Sequence, residues 1–313
     1  MNHGLFRFDR RQFLALAGTT LSALPARAWW RAAGAAGCSL RIAFFTDVHA
    51  RAEGETARAM AMAAAAINGR RPELVIAGGD LISGGFQSAA KTVEPRWQAY
   101  LEMHRSLKGK VEPVIGNHDL VAAIPEDDSP PAADPKARFC EAFGLERTYR
   151  FFDAGSYRFF LLDSIVVTGG EEKYNGRVDD QQLRWLASEL ESTNRNTPIV
   201  VATHIPLLTA MYQATEGATE PALPNRVVVN NREVLELFKD HNLLLVLQGH
   251  AHVNEMIRWG ETTFITGGAV CGKWWRGSYH GTREGYGLLT LWPDRVDWEY
   301  LTYGWKALQP VAG

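Results

Sequence analysis

The sequence has little cysteine and little net charge, and both shortages exclude classes of protein. Its three cysteines among 313 residues, Cys38, Cys140 and Cys271, match no zinc-binding spacing and allow at most one internal disulfide. The formal charge of −2 comes without a basic cluster, so we expect no specific nucleic-acid binding. The remaining composition, 46% hydrophobic and 22% charged, is that of an ordinary globular protein.

A membrane-spanning run is also missing from the N-terminal region. The apolar stretch at residues 13–24 is 12 residues long, whereas a spanning helix needs roughly 20. Arg10-Arg11 precedes it, and the small residues of Ala26-Arg27-Ala28 offer a cleavage site. The run Asp-Arg-Arg-Gln-Phe-Leu that begins at Asp9 resembles a twin-arginine export signal.

These features predict the processing and location of the chain. We expect residues 1–28 to be a signal peptide that the twin-arginine export machinery recognises. Residues 29–313 should then form one domain, without a transmembrane segment, that works in the periplasm or is secreted.

Short apolar runs alternate with helical patterns in the first part of the chain. Buried strands are predicted at residues 40–46, 74–77 and 111–115, with helices at 55–68 and 89–107 between them. This alternation indicates an α/β fold, in which ligand-bearing loops lie at the carboxyl ends of the strands.

Metal-ligating side chains recur where the predicted strands end. Two further strands, at residues 199–202 and 243–247, end in the same way. The set comprises two carboxylates, one amide and five imidazoles: Asp47, His49, Asp80, Asn117, His118, His204, His250 and His252. Such nitrogen and oxygen ligands suit Zn, Mn or Fe. Even seven of these eight side chains would be too many ligands for one ion, but two ions that share a carboxylate fit the count.

The ordered blocks resemble the calcineurin-like metallophosphoesterase family. They are Asp47-Val48-His49, Gly79-Asp80, Gly116-Asn117-His118-Asp119, the lone His204, and Gly249-His250-Ala251-His252. The resemblance implies a four-layer α/β/β/α sandwich with mixed sheets and a site at the carboxyl ends of the strands. It also implies two transition-metal ions, whose bridging hydroxide attacks the phosphorus of a small phosphoester.

The resemblance also implies a role for each ligand. It assigns Asp47, His49, Asp80 and His252 to one metal, and Asp80, Asn117, His204 and His250 to the other. His118 would be the catalytic acid that protonates the leaving group.

Two departures bear on the branch of the family. Protein phosphatases carry a carboxylate where this chain has Ser83, and Asp119 is our candidate to take over its role of orienting His118. Ser83 and His49 argue against a purple acid phosphatase. Residues 159–164 and 182–186 resemble the cyclic-nucleotide phosphodiesterase branch. Phosphodiesters are therefore the favoured substrates; phosphomonoesters are the alternative, and a non-catalytic protein that holds metal and binds a phosphorylated ligand is a third.

Specificity must come from loops beyond the metals, and two are candidates. One is residues 207–226, and the other is residues 267–277, which contain Lys273-Trp274-Trp275-Arg276. We predict that Trp275 and Arg276 contact the substrate through stacking and charge. The alternative is that these tryptophans pack in the core.

Overall fold

The computed structural model describes residues 39–292 and 295–311. The signal peptide predicted at residues 1–28, and Cys38, lie outside the described residues. Of the other two cysteines, Cys140 is half-buried and Cys271 is buried, and both are free thiols.

The first part of the described chain alternates strands and helices as predicted. In chain order its elements are β1 (Leu40–Phe45), α1 (Gly54–Gly69), β2 (Leu74–Ala77), α2 (Ala90–Ser106), β3 (Lys110–Pro113), a 3₁₀ turn (Asn117–Asp119) and α3 (Ala137–Phe143). The helix boundaries lie within a residue of those predicted from composition and glycine position.

The second part is richer in strands. It contains β4 (Arg150–Ala154), β5 (Tyr157–Leu161), β6 (Ile165–Val167), β7 (Tyr174–Gly176), α4 (Asp180–Glu191), β8 (Ile199–Ala202), α5 (Met211–Thr215), α6 (Asn231–Leu237), β9 (Leu243–Gln248), β10 (Glu255–Trp259), β11 (Thr262–Thr266), β12 (Gly285–Trp292) and β13 (Arg295–Thr302). Asp179 caps α4, because its carboxylate accepts a hydrogen bond from the Gln182 amide at 2.8 Å.

The strands form two mixed sheets and a small ribbon. One sheet has the order β13-β12-β1-β2-β3 and the other β10-β11-β9-β8-β5-β4, while β6 pairs with β7. In the first sheet β1, β2 and β3 are parallel, and in the second β5, β8, β9 and β11 are parallel.

Strand β1 explains how the sheets stack. Successive side chains of a strand point to opposite faces. Ile42 and Phe44 join a core built from strand residues of both sheets, and Ala43 and Phe45 join the core shared with the helices. Because both faces are buried, the strand is almost continuously apolar in sequence. The four-layer α/β/β/α sandwich predicted from the sequence is confirmed.

Among the described residues, none of the helices combines the length and apolarity that crossing a membrane requires.

Candidate metal centre

All seven predicted metal ligands converge at one edge of the sandwich. The strands β1, β2 and β3 of one sheet and β8 and β9 of the other end at this edge, and the ligands follow them in the connecting loops: Asp47, His49, Asp80, Asn117, His204, His250 and His252. All are buried except His250, which is half-buried. Residues 203 positions apart in sequence, such as His49 and His252, meet here because the parallel strands of both sheets place their carboxyl ends at the same edge of the sandwich.

Asp47, His49 and His252 form the first group of ligand atoms. Nε2 of His49 lies 3.1 Å from Nε2 of His252. Oδ1 of Asp47 lies 3.2 Å from Nε2 of His252 and 3.9 Å from Nε2 of His49. These atoms surround a point where a single cation can contact all three.

Asp80 connects this group to a second one. Its Oδ2 lies 3.5 Å from Nε2 of His49 and 3.3 Å from Nε2 of His204. Asp80, His204 and His250 also bring their ligand atoms within 4.8 Å of one another. A single carboxylate oxygen therefore lies between the two groups, where the resemblance placed the bridging ligand.

Hydrogen bonds to backbone carbonyls fix two of the imidazoles. Nδ1 of His204 donates to the Gly78 carbonyl at 2.9 Å, and Nδ1 of His252 donates to the Gly272 carbonyl at 2.6 Å. A carbonyl can only accept, so the proton of each neutral ring is on Nδ1. The lone pair of each Nε2 is then free for a metal.

The donor set fits two cations. In the described part of the chain, several buried side-chain atoms without a hydrogen-bond partner belong to this cluster: Asp47 Oδ1, Asn117 Oδ1, His204 Nε2 and His250 Nε2. Buried polar atoms are rarely left unpaired, because the cost is about 1–3 kcal/mol each. Cations would satisfy all four, and imidazole, amide and carboxylate donors suit Zn, Mn or Fe.

Without cations, protons balance the charges of the cluster. Burial by itself would raise the pKa of the Asp47 carboxyl, but His252 and His204 together lower this pKa to about 2. Burial by itself would lower the pKa of His204, but Asp80 and Asp47 raise this pKa to about 9. Burial and the charge on His204 lower the pKa of His250 to about 3. The protons on the imidazoles therefore occupy positions that cations would take.

The backbone is strained at most ligand positions. Five of the seven have a positive φ, which is uncommon for residues other than glycine: Asp47 (54°), His49 (45°), Asp80 (52°), His250 (67°) and His252 (58°). Such strain clusters at functional sites because the surrounding structure holds the side chains in place there.

Two glycines let the loops approach the carboxylates. A Cβ on Gly116 would lie 2.1 Å from the amide nitrogen of Asp80 and 2.3 Å from its Oδ1. A Cβ on Gly249 would lie 2.2 Å from Oγ1 of Thr46 and 2.9 Å from Oδ2 of Asp47. Any side chain at either position would displace a predicted metal ligand.

His118 lies beside the cluster, as predicted for a catalytic acid. Its ring centroid is 4.7 Å from that of His49, and its amide donates to Oδ1 of Asp80 at 2.8 Å. Its Nδ1 accepts a hydrogen bond from the Gly84 amide at 2.9 Å, so the neutral ring carries its proton on Nε2. Burial lowers the pKa of His118.

Asp119 does not orient His118 in the way that we expected. Its carboxylate accepts hydrogen bonds from the amides of Leu81 (2.7 Å), Ile82 (3.1 Å) and Gly116 (2.8 Å). Burial and Asp80 raise its pKa to about 8, against the effect of these amides. Asp119 therefore fixes the backbone that carries Asp80, while a backbone amide takes the place of a carboxylate at His118.

Ser83 is turned away from His118 as well. Its hydroxyl donates to the His49 carbonyl at 2.9 Å, and its own carbonyl accepts from the guanidinium of Arg96 at 2.6 Å. This residue therefore supports the loop that carries His49.

The two residues predicted to contact substrate lie elsewhere. Trp275 is buried, its Nε1 donates to the His49 carbonyl at 2.9 Å, and its ring packs edge-on against Trp305 at 5.3 Å. Arg276 is exposed and lines neither cavity at the site. The alternative of core packing therefore describes Trp275. Its neighbour Trp274 faces the ligands, with its ring centroid 4.8 Å from that of His252.

The ligands open into a cavity of about 410 Å³. Its walls come from α5 and the segment after it, from β7 and from the loop after β11. They include the side chains of Tyr174, Tyr212, Arg226, Trp274 and Tyr279. The two predicted specificity loops, at residues 207–226 and 267–277, supply Tyr212, Arg226 and Trp274, whereas no motif marked Tyr174 or Tyr279.

A second cavity of about 400 Å³ adjoins the first. Both are bordered by His49, His118 and Trp274, and only the first is bordered by the ligands Asp80, Asn117, His250 and His252.

Comparison with known proteins places this site in a family. The model of the calcineurin-like phosphoesterase family matches residues 40–254, more than half of the chain. The chain therefore belongs to the calcineurin-like phosphoesterase family, as its ordered blocks predicted. No curated protein matches it significantly.

Solved structures share the fold at low sequence identity. A dimetal phosphatase from Danio rerio is 15% identical, with a TM-score of 0.62 over 84% of this chain and 96% of that one. A purple acid phosphatase from yellow lupin seeds is 14% identical, with a TM-score of 0.57 over 85% of this chain and 52% of that one. The GAP50 anchor of the Plasmodium inner membrane complex is 15% identical, with a TM-score of 0.57 over 87% of each chain.

Membership of the family and the assembled ligand set define the chemistry. The protein is a metal-dependent hydrolase of phosphoesters, and the family implies a dinuclear centre.

Proposed function

We propose that this hydrolase acts on phosphodiesters, as the cyclic-nucleotide phosphodiesterase branch does, and that it works outside the cytoplasm. The observation that carries the preference for diesters is the pair of adjoining cavities, of about 410 and 400 Å³. A diester carries two organic groups on its phosphorus and needs space for both. A monoester carries one organic group, so only one of the two cavities would hold an organic group of the substrate.

Each residue of the site has a part in this reaction. The seven ligands would hold two cations, which we propose to be Mn, Fe or Zn, and these would supply Lewis acidity to the phosphoryl group and to a water molecule. Asp80 holds the two ligand groups together, and the hydrogen bonds of His204 and His252 aim their Nε2 atoms. The Nε2–H of His118 can donate to the oxygen of the leaving group, which acquires negative charge as its bond breaks.

Two alternative functions remain for the same metal centre. A phosphomonoesterase would use the same ligands, and a non-catalytic protein would hold metal and bind a phosphorylated ligand. For the non-catalytic alternative, one protein of similar fold, GAP50, is named an anchor of the Plasmodium inner membrane complex. The complete ligand set and the placement of His118 favour an enzyme.

One assay separates the three functions. Protein loaded with Mn or Zn is given bis-p-nitrophenyl phosphate and p-nitrophenyl phosphate, and the same protein treated with chelator is the control. We expect a higher kcat/KM for the diester and loss of both activities on chelation. Turnover of the monoester alone would support the phosphomonoesterase. Binding of inorganic phosphate with turnover of neither ester would support the non-catalytic protein.

The proposal of export rests on the N-terminal sequence. Replacing Arg10 and Arg11 by lysines should leave the precursor in the cytoplasm, because the twin-arginine route requires the arginine pair. Fractionation and immunoblotting compare this variant with the native chain. Unchanged export of the variant would contradict the proposed route.

A further inference from the structure

The second cavity has a chemistry of its own. Besides the three side chains that it shares with the first cavity, it is lined by Arg51, Glu53, Ser83, Gln87, Ser88 and Arg96. Arg51 and Arg96 are half-buried, and Glu53 is exposed. The lining of this cavity therefore includes two guanidinium groups and one carboxylate.

Arg96 is held in place within this cavity. Its guanidinium donates to the Ser83 carbonyl at 2.6 Å, next to Gly84, whose amide donates to His118. A guanidinium has five N–H donors, so this bond leaves others available to an anion. The loop that fixes the ring of His118 therefore also fixes a cation beside it.

The ligands indicate where the reacting phosphoryl group lies. Asp80, Asn117 and His250 border only the first cavity, so the phosphorus of a substrate held by this cluster lies there. His118 borders both cavities, and its Nε2–H can donate to a departing oxygen. A leaving group whose oxygen contacts Nε2 of His118 extends past this residue into the second cavity.

We infer that the second cavity receives the leaving group and selects one that carries an additional anionic group, such as a phosphate or a carboxylate. Both anions pair with guanidinium groups through parallel N–H donors. The ring of Trp274, which borders both cavities, can stack on a planar leaving group. The inference rests on phosphoester hydrolysis at this centre and does not depend on the preference for diesters.

A matched pair of chromogenic substrates tests the inference. Methyl 4-nitrophenyl phosphate and methyl 3-carboxy-4-nitrophenyl phosphate differ by one carboxylate on the leaving group, in a position that changes the basicity of the phenolate little. The measured quantity is the ratio of kcat/KM for the carboxylated substrate to that for the plain one, on Mn-loaded protein of known metal content. We expect a ratio of about two- to fivefold, the size of one partly exposed charge pair.

Variants locate the origin of this ratio. Arg51→Ala should bring the ratio toward one, and Arg51→Lys should keep most of it because the charge remains. Glu53→Gln should raise it, because the variant removes the carboxylate that faces the anion. Arg226→Ala, in the first cavity, is the matched control and should leave the ratio unchanged even if it lowers both values. A third substrate with a phosphonomethyl group in place of the carboxylate distinguishes phosphate from carboxylate selection.

The results that overturn the inference are distinct from those that overturn the diesterase proposal. A native ratio at or below one, or a ratio that survives Arg51→Ala, would contradict the inference. Loss of the ratio in Arg226→Ala would place the anion in the first cavity and would also contradict it. If the native protein hydrolyses neither diester, the diesterase proposal fails, and the corresponding monoesters with the same two leaving groups then measure the ratio.

Discussion

The backbone amide of Gly84 donates a hydrogen bond to Nδ1 of His118 at 2.9 Å. A carboxylate in this position would accept a hydrogen bond from Nδ1–H and would favour the charged imidazolium. An amide donor does the opposite, since it needs the lone pair of Nδ1. His118 is therefore held as a neutral ring with Nε2–H available to the substrate.

Replacing His118 by alanine should slow hydrolysis while leaving the metals bound. The loss should be largest for esters with poor leaving groups, whose departing oxygen carries the most negative charge for the Nε2–H hydrogen bond to stabilise, and should be roughly 10²–10³-fold there. It should shrink for nitrophenyl esters, whose leaving groups need less stabilisation. The check is a series of esters with leaving groups of increasing pKa, with metal content measured in parallel. An equal loss across the series would exclude donation to the leaving group.

Gly116→Ala should disrupt the metal centre, because its Cβ would lie 2.1 Å from the backbone of Asp80. Overpacking of this kind costs about 1–3 kcal/mol and would displace the shared ligand. Gly69→Ala is the matched control, because Gly69 is the last residue of helix α1 and nothing lies within 4 Å of the added carbon. Denaturant unfolding and metal analysis compare the two variants. Normal metal binding by Gly116→Ala would contradict the close approach.

Trp275 and Trp274 should differ in what their loss affects. Trp275→Ala should lower the free energy of unfolding by about 3–5 kcal/mol, because it removes a buried ring and its bond to His49. Trp274 is 36% exposed and lines both cavities. Trp274→Ala should therefore change KM and leave stability nearly unchanged. The reverse result would mean that Trp275 is the residue that contacts substrate.

Trp274 and Trp275 illustrate how far the sequence could predict the site. The ligands are predictable because buried parallel strands of the two sheets end at one edge of the sandwich, and the motifs lie directly after them. No periodicity in the loop at residues 267–277 shows which tryptophan faces the ligands. Two of the three partners of Asp119, the amides of Leu81 and Ile82, belong to another loop, and a sequence carries no signal for such contacts. The same holds for Arg51 and Arg96, which approach His118 only in the folded chain.

Metal binding should release protons near neutral pH. The pKa of His204 is raised to about 9, so most of the metal-free protein carries a proton on this ring at pH 7.5. A cation must displace that proton, so metal affinity should rise with pH up to about 9 and fall as the pH is lowered. Titration calorimetry in buffers of different ionisation enthalpy measures the release. The absence of any release at pH 7.5 would contradict the charge balance described here, and His204→Asn should release fewer protons than the native chain.

Metal content tests the account most directly, because it depends on Asp80 lying between two ligand groups. Elemental analysis of the active, purified protein should find close to two transition-metal ions per chain. His252→Ala and His250→Ala should each weaken one of the two sites, whereas Asp80→Ala should weaken both together. One ion per chain in the active native protein, or an Asp80→Ala variant that keeps one ion at native affinity, would contradict the shared dinuclear centre.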